Sequence, residues 1–343
     1  MKLLIITQSI DKNNPVLGFM HRWIEEFAKK FESIVVICLE NGEHSLPKNV
    51  KVLSLGKEKG ASRFKYILRF YKYIWQERKN YDTVFVHMNQ EYILLGGKLW
   101  WALRKPVYMW RNHQSGSFLT DIAAFFCKKV FCTSKYSYTA KYKKTVLMPV
   151  GIDMELFKPM PDIARRLDSI LFLGRITLVK KPDLLIDALG EMKDREWTAT
   201  VVGDALPKDA DFYQKLKQKV HTYGMEDRIE FRKGVANQNA PSIYSAHEIF
   251  INLSPSGMYD KTIFEAMACG CLVLASNQNL AGQIDGRLII GEEKSSAEVA
   301  QKIIAILNLS AGEKKVLVEQ GSVIARKHSL TTLIDKLGGE MLS

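Results

Sequence analysis

Residues 254–276 read SPSGMYDKTIFEAMACGCLVLAS and contain a strand end, a turn and a helix start in close succession. An apolar run ends at Leu253, a small polar turn follows, and the pattern predicts a helix that begins near Lys261 and ends at Gly270. The run Leu272–Ala275 predicts the next strand. Because the first backbone N–H groups of a helix lack partners and the helix dipole favours negative charge, this arrangement predicts a phosphate site at the helix start.

Glu265 lies in the first turns of this predicted helix, and its position admits two interpretations. Its carboxylate could accept hydrogen bonds from two adjacent hydroxyl groups of a sugar. Alternatively, Thr262 and Glu265 form a capping box, in which the glutamate side chain bonds back to the helix start. The residues of this stretch alone leave both interpretations open.

Residues 254–277 resemble the nucleotide-sugar motif of the GT-B glycosyltransferases of family 4, in which a glutamate holds the ribose of the donor. The resemblance implies this role for Glu265. The family usually has a second glutamate, spaced E-x(7)-E, whose side chain contacts the donor hexose. Gly257 stands at that position in this chain, so recognition of the hexose is left open. Other residues of the stretch implied to bind the donor are Gly257, Lys261, Thr262 and Ile263.

Length and composition predict two globular domains. A chain of 343 residues with 47% hydrophobic and 25% charged residues is too long for one ordinary core. The formal net charge of +12 predicts an anionic partner, such as nucleic acid, acidic lipid headgroups or a phosphorylated substrate. The five cysteines have no zinc spacing and predict reduced thiols in a cytoplasmic protein. We expect no signal peptide, and no apolar run reaches the ~18 residues of a membrane span.

Short apolar runs alternate with amphipathic stretches in the first half of the chain, which predicts a parallel sheet with helices on both faces. No glycine-rich dinucleotide fingerprint follows the first strand. A polar loop with Gly18 does follow it, before a helix predicted at residues 19–31. Gly18 could let a phosphate approach the backbone, or it could form an ordinary helix entry. Strands are predicted at residues 3–6, 34–39, 50–55, 83–87, 106–110 and 129–132.

Residues 57–79, KEKGASRFKYILRFYKYIWQERK, combine apolar side chains at helical spacing with many cations and few acids. Such a helix is suited to an anionic membrane surface, to which each Lys or Arg near the headgroups contributes ~1 kcal/mol. The alternative is a helix that packs on the sheet and exposes a basic face to water. The cations predicted to contact the membrane are Arg63, Lys65, Arg69 and Lys72.

His113 lies in the polar loop after the strand predicted at residues 106–110. An isolated histidine is more often structural than catalytic. The pattern Trp110-x-x-His113, however, is similar to the strand-end histidine of the glycosyltransferase family, which lies near the reacting sugar. Imidazole can contact a sugar hydroxyl and changes charge near physiological pH. The resemblance therefore implies a catalytic role for His113.

The second sheet is predicted to begin near residue 169, and residues 171–189, LFLGRITLVKKPDLLIDAL, resemble the family segment that neutralises the donor diphosphate. Without the resemblance, the basic residues fit a solvated turn as well. Arginine offers a planar fork to phosphate oxygens, and lysine offers a compact charge. The resemblance implies catalytic, diphosphate-binding roles for Arg175 and Lys180, with Lys181 as the alternative to Lys180. The remaining residues of the implied donor site are Gly174, Gly203 and Val235.

The chain is thus predicted to have an α/β fold of the GT-B type, with two doubly wound Rossmann-like domains that face a cleft. The expected bounds are 1–150 for an acceptor-binding domain, 151–167 for a linker and 168–324 for a nucleotide-sugar-binding domain. Residues 325–343 are expected to form a helix that crosses back to the first domain. The resemblance implies retaining transfer of a sugar from a UDP- or GDP-linked donor, without a metal or other cofactor. The implied acceptor is a glycan or a lipid-linked molecule of the cell envelope.

Two other functions were weighed against the same residues. A nucleotide-sugar epimerase on the same fold would alter the donor without an acceptor. A non-enzymatic basic protein would bind membranes or nucleic acid, with a strong dependence on salt. The aromatic motifs of RNA-binding modules are missing, so no nucleic-acid partner is predicted. The expected location is the cytoplasm, with peripheral contact to the inner face of the cell membrane.

Overall fold

The structure is a computed structural model that describes residues 1–14 and 16–342. The chain divides into two compact units, of which the first comprises residues 1–151 and the chain from Leu330 onward, and the second comprises residues 152–329. Each unit is built around a parallel sheet. Within the described residues, no helix is long and apolar enough to cross a lipid bilayer.

The first unit contains a seven-stranded sheet in the order β3-β2-β1-β4-β5-β6-β7. All six strands predicted in this half are present, and β7 is an additional strand too short for a recognisable pattern. The elements are β1 Lys2–Ile10, α1 Phe19–Ala28, β2 Ser33–Asn41, β3 Val50–Ser54, α2 Arg63–Gln76, β4 Thr83–His87, α3 Glu91–Ala102, β5 Val107–Trp110, α4 Phe118–Phe125, β6 Lys129–Cys132 and β7 Thr145–Leu147, with the last helix, α11 Leu330–Leu342.

Both faces of this sheet are covered by helices, as the uniformly apolar strands require. Successive strand residues point to opposite faces. Leu4 and Ile6 of β1 therefore pack in a cluster with side chains of α2, α3 and α4, whereas Leu3 and Ile5 pack in a second cluster with side chains of α1 and α11.

The second unit contains a five-stranded sheet in the order β10-β9-β8-β11-β12. Its strand order reverses between β8 and β11, and ligands of doubly wound sheets bind at the carboxyl ends of the strands at such a reversal. The elements are β8 Arg166–Leu173, α5 Pro182–Gly190, β9 Thr198–Val202, α6 Ala210–Tyr223, β10 Ile229–Arg232, α7 Ala240–Ser245, β11 His247–Asn252, α8 Lys261–Ala268, β12 Leu272–Ala275, α9 Ser296–Leu307 and α10 Ala311–Lys327.

The turn from α8 to β12 contains Gly270, which has a φ of +83°. This left-handed conformation ends α8 where the sequence predicts, because glycine adopts it without steric cost. The guanidinium of Arg165 donates to the carbonyl oxygens of Cys269 and Gly270 and fixes the turn. All five cysteines are buried free thiols, and burial raises the pKa of Cys271 to about 12.

The ends of β8 and β9 approach so closely that one of the two glycines there has no room for a side chain. A Cβ added to Gly203 would overlap the carbonyl oxygen of Gly174, whereas a Cβ added to Gly174 would meet no atom within 4 Å. We therefore expect Gly203→Ala to destabilise the protein by about 1–3 kcal/mol, a typical cost of overpacking. Gly174→Ala is the matched control and should leave the thermal midpoint nearly unchanged. Equal midpoints for the two variants would contradict this account of the strand ends.

Candidate functional site

The donor-binding residues predicted in the second unit gather at the carboxyl edge of its sheet. Arg175 follows β8, Gly203 follows β9 and Val235 follows β10, while the loop 253–260 follows β11 and leads into α8. The strands are parallel, so all of these segments lie at one edge. The structure thus brings together segments that are distant in the sequence.

Glu265 is buried below the first turn of α8. Its carboxylate accepts hydrogen bonds from the hydroxyl of Tyr244, at 3.2 Å, and from the side-chain amide of Asn237, at 3.4 Å. Burial raises the pKa of Glu265, and the nearby ammonium of Lys261 opposes that shift. A buried carboxylate with few donors around it has remaining capacity to accept hydrogen bonds.

The capping-box interpretation of Glu265 is wrong. Helix α8 begins at Lys261 with Asp260 as its N-cap residue, so Glu265 lies beyond the third helical position that a capping box requires. The hydrogen bonds of its side chain go to α7 and to the segment before α7. The contact of Glu265 with a donor ribose stays a prediction.

The start of α8 contains three residues predicted to bind the donor. Burial lowers the pKa of Lys261 to about 8, against the effect of Glu265. The hydroxyl of Thr262 accepts a hydrogen bond from the side chain of Asn252, at 3.4 Å. Ile263 is fully buried and anchors the helix in the core. The first turn contains no acidic side chain, which favours an anion at the positive end of the helix. The nearest acids are the N-cap residue Asp260, which is paired with Lys180, and Glu265 further along α8.

Lys180, predicted to bind diphosphate, forms an ion pair with Asp260 in the structure. Asp260 also accepts hydrogen bonds from the hydroxyl of Ser254, at 2.6 Å, and the amide of Asn252, at 2.9 Å. Burial alone would raise the pKa of the Asp260 carboxyl, but the charge of Lys180 and the two polar donors hold it below its ordinary value. The pair joins the segment after β8 to the loop after β11.

Arg175, also predicted to bind diphosphate, differs from Lys180 because its side chain is exposed. Lys181 is the N-cap residue of α5, with a φ of +51°. Burial lowers the pKa of Lys294, and the nearby charge of Lys181 lowers it further. Lys294, from the loop before α9, thus adds a cation near Lys181 at the start of α5.

The loop that contains Gly257 is held by the turn after β12. The side-chain amides of Asn277 and Asn279 donate to the carbonyl oxygens of Met258 and Ser256, each at 2.7 Å. The Ser256 hydroxyl in turn donates to Glu292, at 2.9 Å. Backbone and side-chain bonds thus fix the loop before any ligand binds.

In the first unit, Gly18 is the N-cap residue of α1. A Cβ at this position would lie 2.7 Å from the carbonyl oxygen of Asn14 and 3.0 Å from that of Lys12. The tight loop therefore accounts for the glycine, which agrees with the helix-entry interpretation. Binding of a phosphate there stays a prediction.

His113 is exposed in the loop after β5. The backbone N–H of Ser115 donates to its Nδ1 atom, at 2.9 Å. Nδ1 also lies 3.2 Å from the carbonyl oxygen of Ser115. Ser115 thus orients the ring through Nδ1 and leaves Nε2 to contact a substrate oxygen.

Three of the four predicted membrane-contact cations, Arg63, Lys65 and Lys72, are exposed on α2. Arg69 is different, because its guanidinium donates to the carbonyl oxygen of Leu55, at 2.7 Å, and fixes α2 to the loop after β3.

The sequence analysis missed residues that contact the predicted ones from other segments. Asp260 lies within residues 254–276, but no local sequence pattern predicts its ion pair with Lys180. Tyr244, Asn237 and Glu292 belong to no recognised pattern, and only the fold brings them to the site. Within residues 1–14 and 16–342, no group of three or more His, Cys, Asp or Glu side chains is arranged to hold a metal ion.

Comparison with known proteins finds a family model that matches part of the chain. Residues 168–309 match the family model of the glycosyl transferases of group 1. Mannosylfructose-phosphate synthase of Agrobacterium fabrum is 31% identical over 147 residues, which cover 39% of this chain and 32% of that protein. D-inositol 3-phosphate glycosyltransferase of Geodermatophilus obscurus is 29% identical over 202 residues, which cover 52% of this chain and 44% of that protein. The chain thus spans less than half the length of these relatives.

The solved structures extend the similarity to both units. The crystal structure of Anabaena HepE in complex with UDP and glucose aligns with this chain with a TM-score of 0.77 and 20% sequence identity. The alignment covers 100% of this chain and 99% of the HepE chain. The predicted fold class is therefore confirmed: the chain has the GT-B fold, and its residues 168–309 are similar to the glycosyl transferases of group 1.

Proposed function

We propose that the protein is a glycosyltransferase that moves a sugar from a nucleotide-sugar donor to a glycan or lipid-linked acceptor. The observation that carries this proposal is the combination, at one edge of the second unit's sheet, of the buried Glu265 carboxylate, the start of α8 and the cations after β8. A ribose requires hydrogen-bond acceptors, and a diphosphate requires positive charge. The two requirements are met by adjacent residues.

The donor is proposed to be UDP- or GDP-linked. Support comes from the crystal structures of HepE in complex with UDP and glucose and with UDP-glucose. In this chain, Glu265 would bind the ribose hydroxyls, and the turn after β10 that contains Val235 would lie against the base. The glycine at position 203 allows β8 and β9 to approach each other beside that turn.

The proposed reaction depends mainly on stabilisation of the leaving group. The bond between the anomeric carbon and the diphosphate oxygen breaks, and its electron pair goes to the diphosphate. The oxygen of an acceptor hydroxyl forms the new bond to the anomeric carbon, and its proton passes to the departing diphosphate. Arg175, Lys180 and the start of α8 offset the developing negative charge, which is often the largest contribution to such catalysis. His113 would contact the reacting sugar. The proposed transfer retains the anomeric configuration and requires no metal or other cofactor.

The ion pair between Lys180 and Asp260 adds a feature that the resemblance does not imply. The ammonium of Lys180 is held close to the start of α8 by a buried carboxylate, so it is oriented before the donor binds. An oriented charge stabilises a transition state better than one that must move into place. Asp260 is thus a positioning residue in this proposal.

The first prediction about function concerns the donor site. At about 100-fold excess over the dissociation constant, a true donor should stabilise the protein by ~2.7 kcal/mol. We expect one series among UDP-, GDP-, ADP- and CMP-linked sugars to raise the thermal midpoint of the wild type. Glu265→Gln should abolish this shift, because an amide cannot replace both carboxylate oxygens as acceptors.

Glu319→Gln is the matched control, since Glu319 is an exposed acid of α10 and should retain the full shift. An equal shift in the Glu265 variant would show that this carboxylate does not bind the donor. No shift with any of the nucleotide sugars would contradict the proposed function itself.

The second prediction concerns the cations. Arg175→Ala and Lys180→Ala should lower turnover by about 10²-fold or more while changing donor affinity less, because their charges act mainly on the leaving group. Single-turnover kinetics and donor titration measure the two effects separately. Lys208→Ala, which removes an exposed lysine of the same unit, is the control. Unchanged turnover in both site variants would contradict the proposed role of the cations.

The first unit is further proposed to bind the surface of an anionic membrane through the outer face of α2, α3 and α4. These helices form one layer on the sheet, since the Tyr71 hydroxyl of α2 donates to Leu95 of α3, and Gly97 of α3 lies against Phe126, the C-cap residue of α4. Large apolar side chains on this layer are 41–78% exposed. They are Phe64, Leu68, Tyr71, Trp75, Trp101, Phe118, Leu119 and Phe125.

The charge of this layer favours a membrane over water as its environment. Arg63, Lys65 and Lys72 flank the apolar stripe of α2, and the helix contains no acid. The guanidinium of Arg78 lies 4.3 Å from the ring centre of Trp75, so a cation and an aromatic ring meet at the surface. Large exposed apolar side chains grouped on one layer are typical of an interaction site, and basic amphipathic helices bind anionic lipid surfaces.

The third prediction tests this membrane contact. A triple variant, Phe64→Ser, Leu68→Ser and Trp75→Ser, should lose most of its binding to phosphatidylglycerol vesicles in flotation assays. Replacement of Arg63, Lys65 and Lys72 by Glu should have a similar effect at low salt. Leu167→Ser, which removes an exposed leucine of the second unit, is the control. Equal vesicle binding by all variants, or dimerisation through the same face instead, would contradict the membrane contact.

A further inference from the structure

A side chain from another loop lies beside Gly257, where the family usually has a glutamate. Ser256 precedes Gly257, and its hydroxyl donates to Oε1 of Glu292, at 2.9 Å. The same hydroxyl accepts a hydrogen bond from the backbone N–H of Gln278, at 2.9 Å. Its single proton is therefore directed at the carboxylate, which fixes the side chain of Glu292 next to the glycine.

The carboxylate of Glu292 retains the capacity to bind a ligand. The residue is exposed, and Ser256 contacts only one of its two oxygens. Within the described part of the chain, Oε2 makes no hydrogen bond. An ionised carboxylate offers about four acceptor positions, of which this arrangement occupies one.

The position of Glu292 relative to the cations agrees with binding of a sugar beside a diphosphate. Glu292 acts electrostatically on Lys294, and Lys294 in turn lies near Lys181 at the start of α5. A sugar attached to a diphosphate needs acceptors for its hydroxyl groups within a few ångströms of the cations that hold the phosphates. Glu292 is an acidic side chain that acts on Lys294 and is bonded to the residue before Gly257.

We propose that Glu292 binds hydroxyl groups of the donor's sugar and so replaces the acid that is missing at Gly257. The inference rests on the proposed function, because it assumes that a nucleotide sugar binds at this edge. In this proposal, the carboxylate of Glu292 accepts hydrogen bonds from two adjacent hydroxyl groups of the sugar. Ser256 is a positioning residue that orients this carboxylate.

The fourth prediction separates the sugar from the nucleotide. Glu292→Gln should weaken the affinity for the nucleotide sugar about tenfold, the effect of losing one charge-assisted hydrogen bond. The affinity for the bare nucleoside diphosphate should not change. Calorimetric titration of each variant with UDP-glucose and UDP, and with GDP-mannose and GDP, measures both affinities. Ser256→Ala should give a smaller loss of the same kind.

Glu293→Gln is the matched control, because Glu293 is the adjacent exposed acid and should bind both ligands as the wild type does. Unchanged nucleotide-sugar affinity in Glu292→Gln would overturn this inference. Equal weakening of the nucleotide sugar and the bare nucleotide would also overturn it, since that result indicates a structural role in the loop. A wild type that binds no nucleotide sugar would instead overturn the proposed function, and this inference with it.

Discussion

Two buried carboxylates at the start of α8 determine how the polar groups of the second unit are arranged. A buried charge is costly unless it has a partner of opposite sign and hydrogen-bond donors. Asp260 obtains these from Lys180, Ser254 and Asn252. Glu265 obtains donors from Tyr244 and Asn237 and lies near Lys261. Satisfying both carboxylates connects the segments after β8, β10 and β11 at one edge of the sheet.

The carboxylate of Glu265 has fewer and longer hydrogen bonds than the carboxylate of Asp260. Asp260 has an ion pair and two strong donors, and the pKa of its carboxyl is held low. Glu265 has two long hydrogen bonds, and burial raises its pKa. Additional hydroxyl donors stabilise a carboxylate that has few hydrogen bonds more than one whose acceptor positions are already occupied. This contrast explains why Glu265 suits a ligand contact, whereas Asp260 suits the positioning of Lys180.

Most strands, and their parallel arrangement, could be predicted from the sequence because each is a short apolar run between helical stretches, whereas β7 is too short for such a pattern. The turn at Gly270 was equally clear, since a glycine after an apolar helix marks its end. What the sequence could not provide was pairing between distant segments. Lys180 and Asp260 are 80 residues apart, and Ser256 and Glu292 are 36 apart. No local spacing encodes such contacts, which arise only when parallel strands bring their carboxyl ends to one edge.

The site thus separates into a rigid part and an adjustable part. Glu265, Asp260 and the glycines at the strand ends are buried or sterically fixed, so most substitutions there would disturb the core. Glu292 lies in an exposed loop and contacts the site through one hydroxyl. An exposed loop tolerates sequence change far better than a core does. If the sugar is recognised from this loop, a change of sugar specificity requires no rearrangement of the residues that bind the nucleotide. The glycine at position 257 has no side chain for this contact, so an acid that makes it must come from another loop.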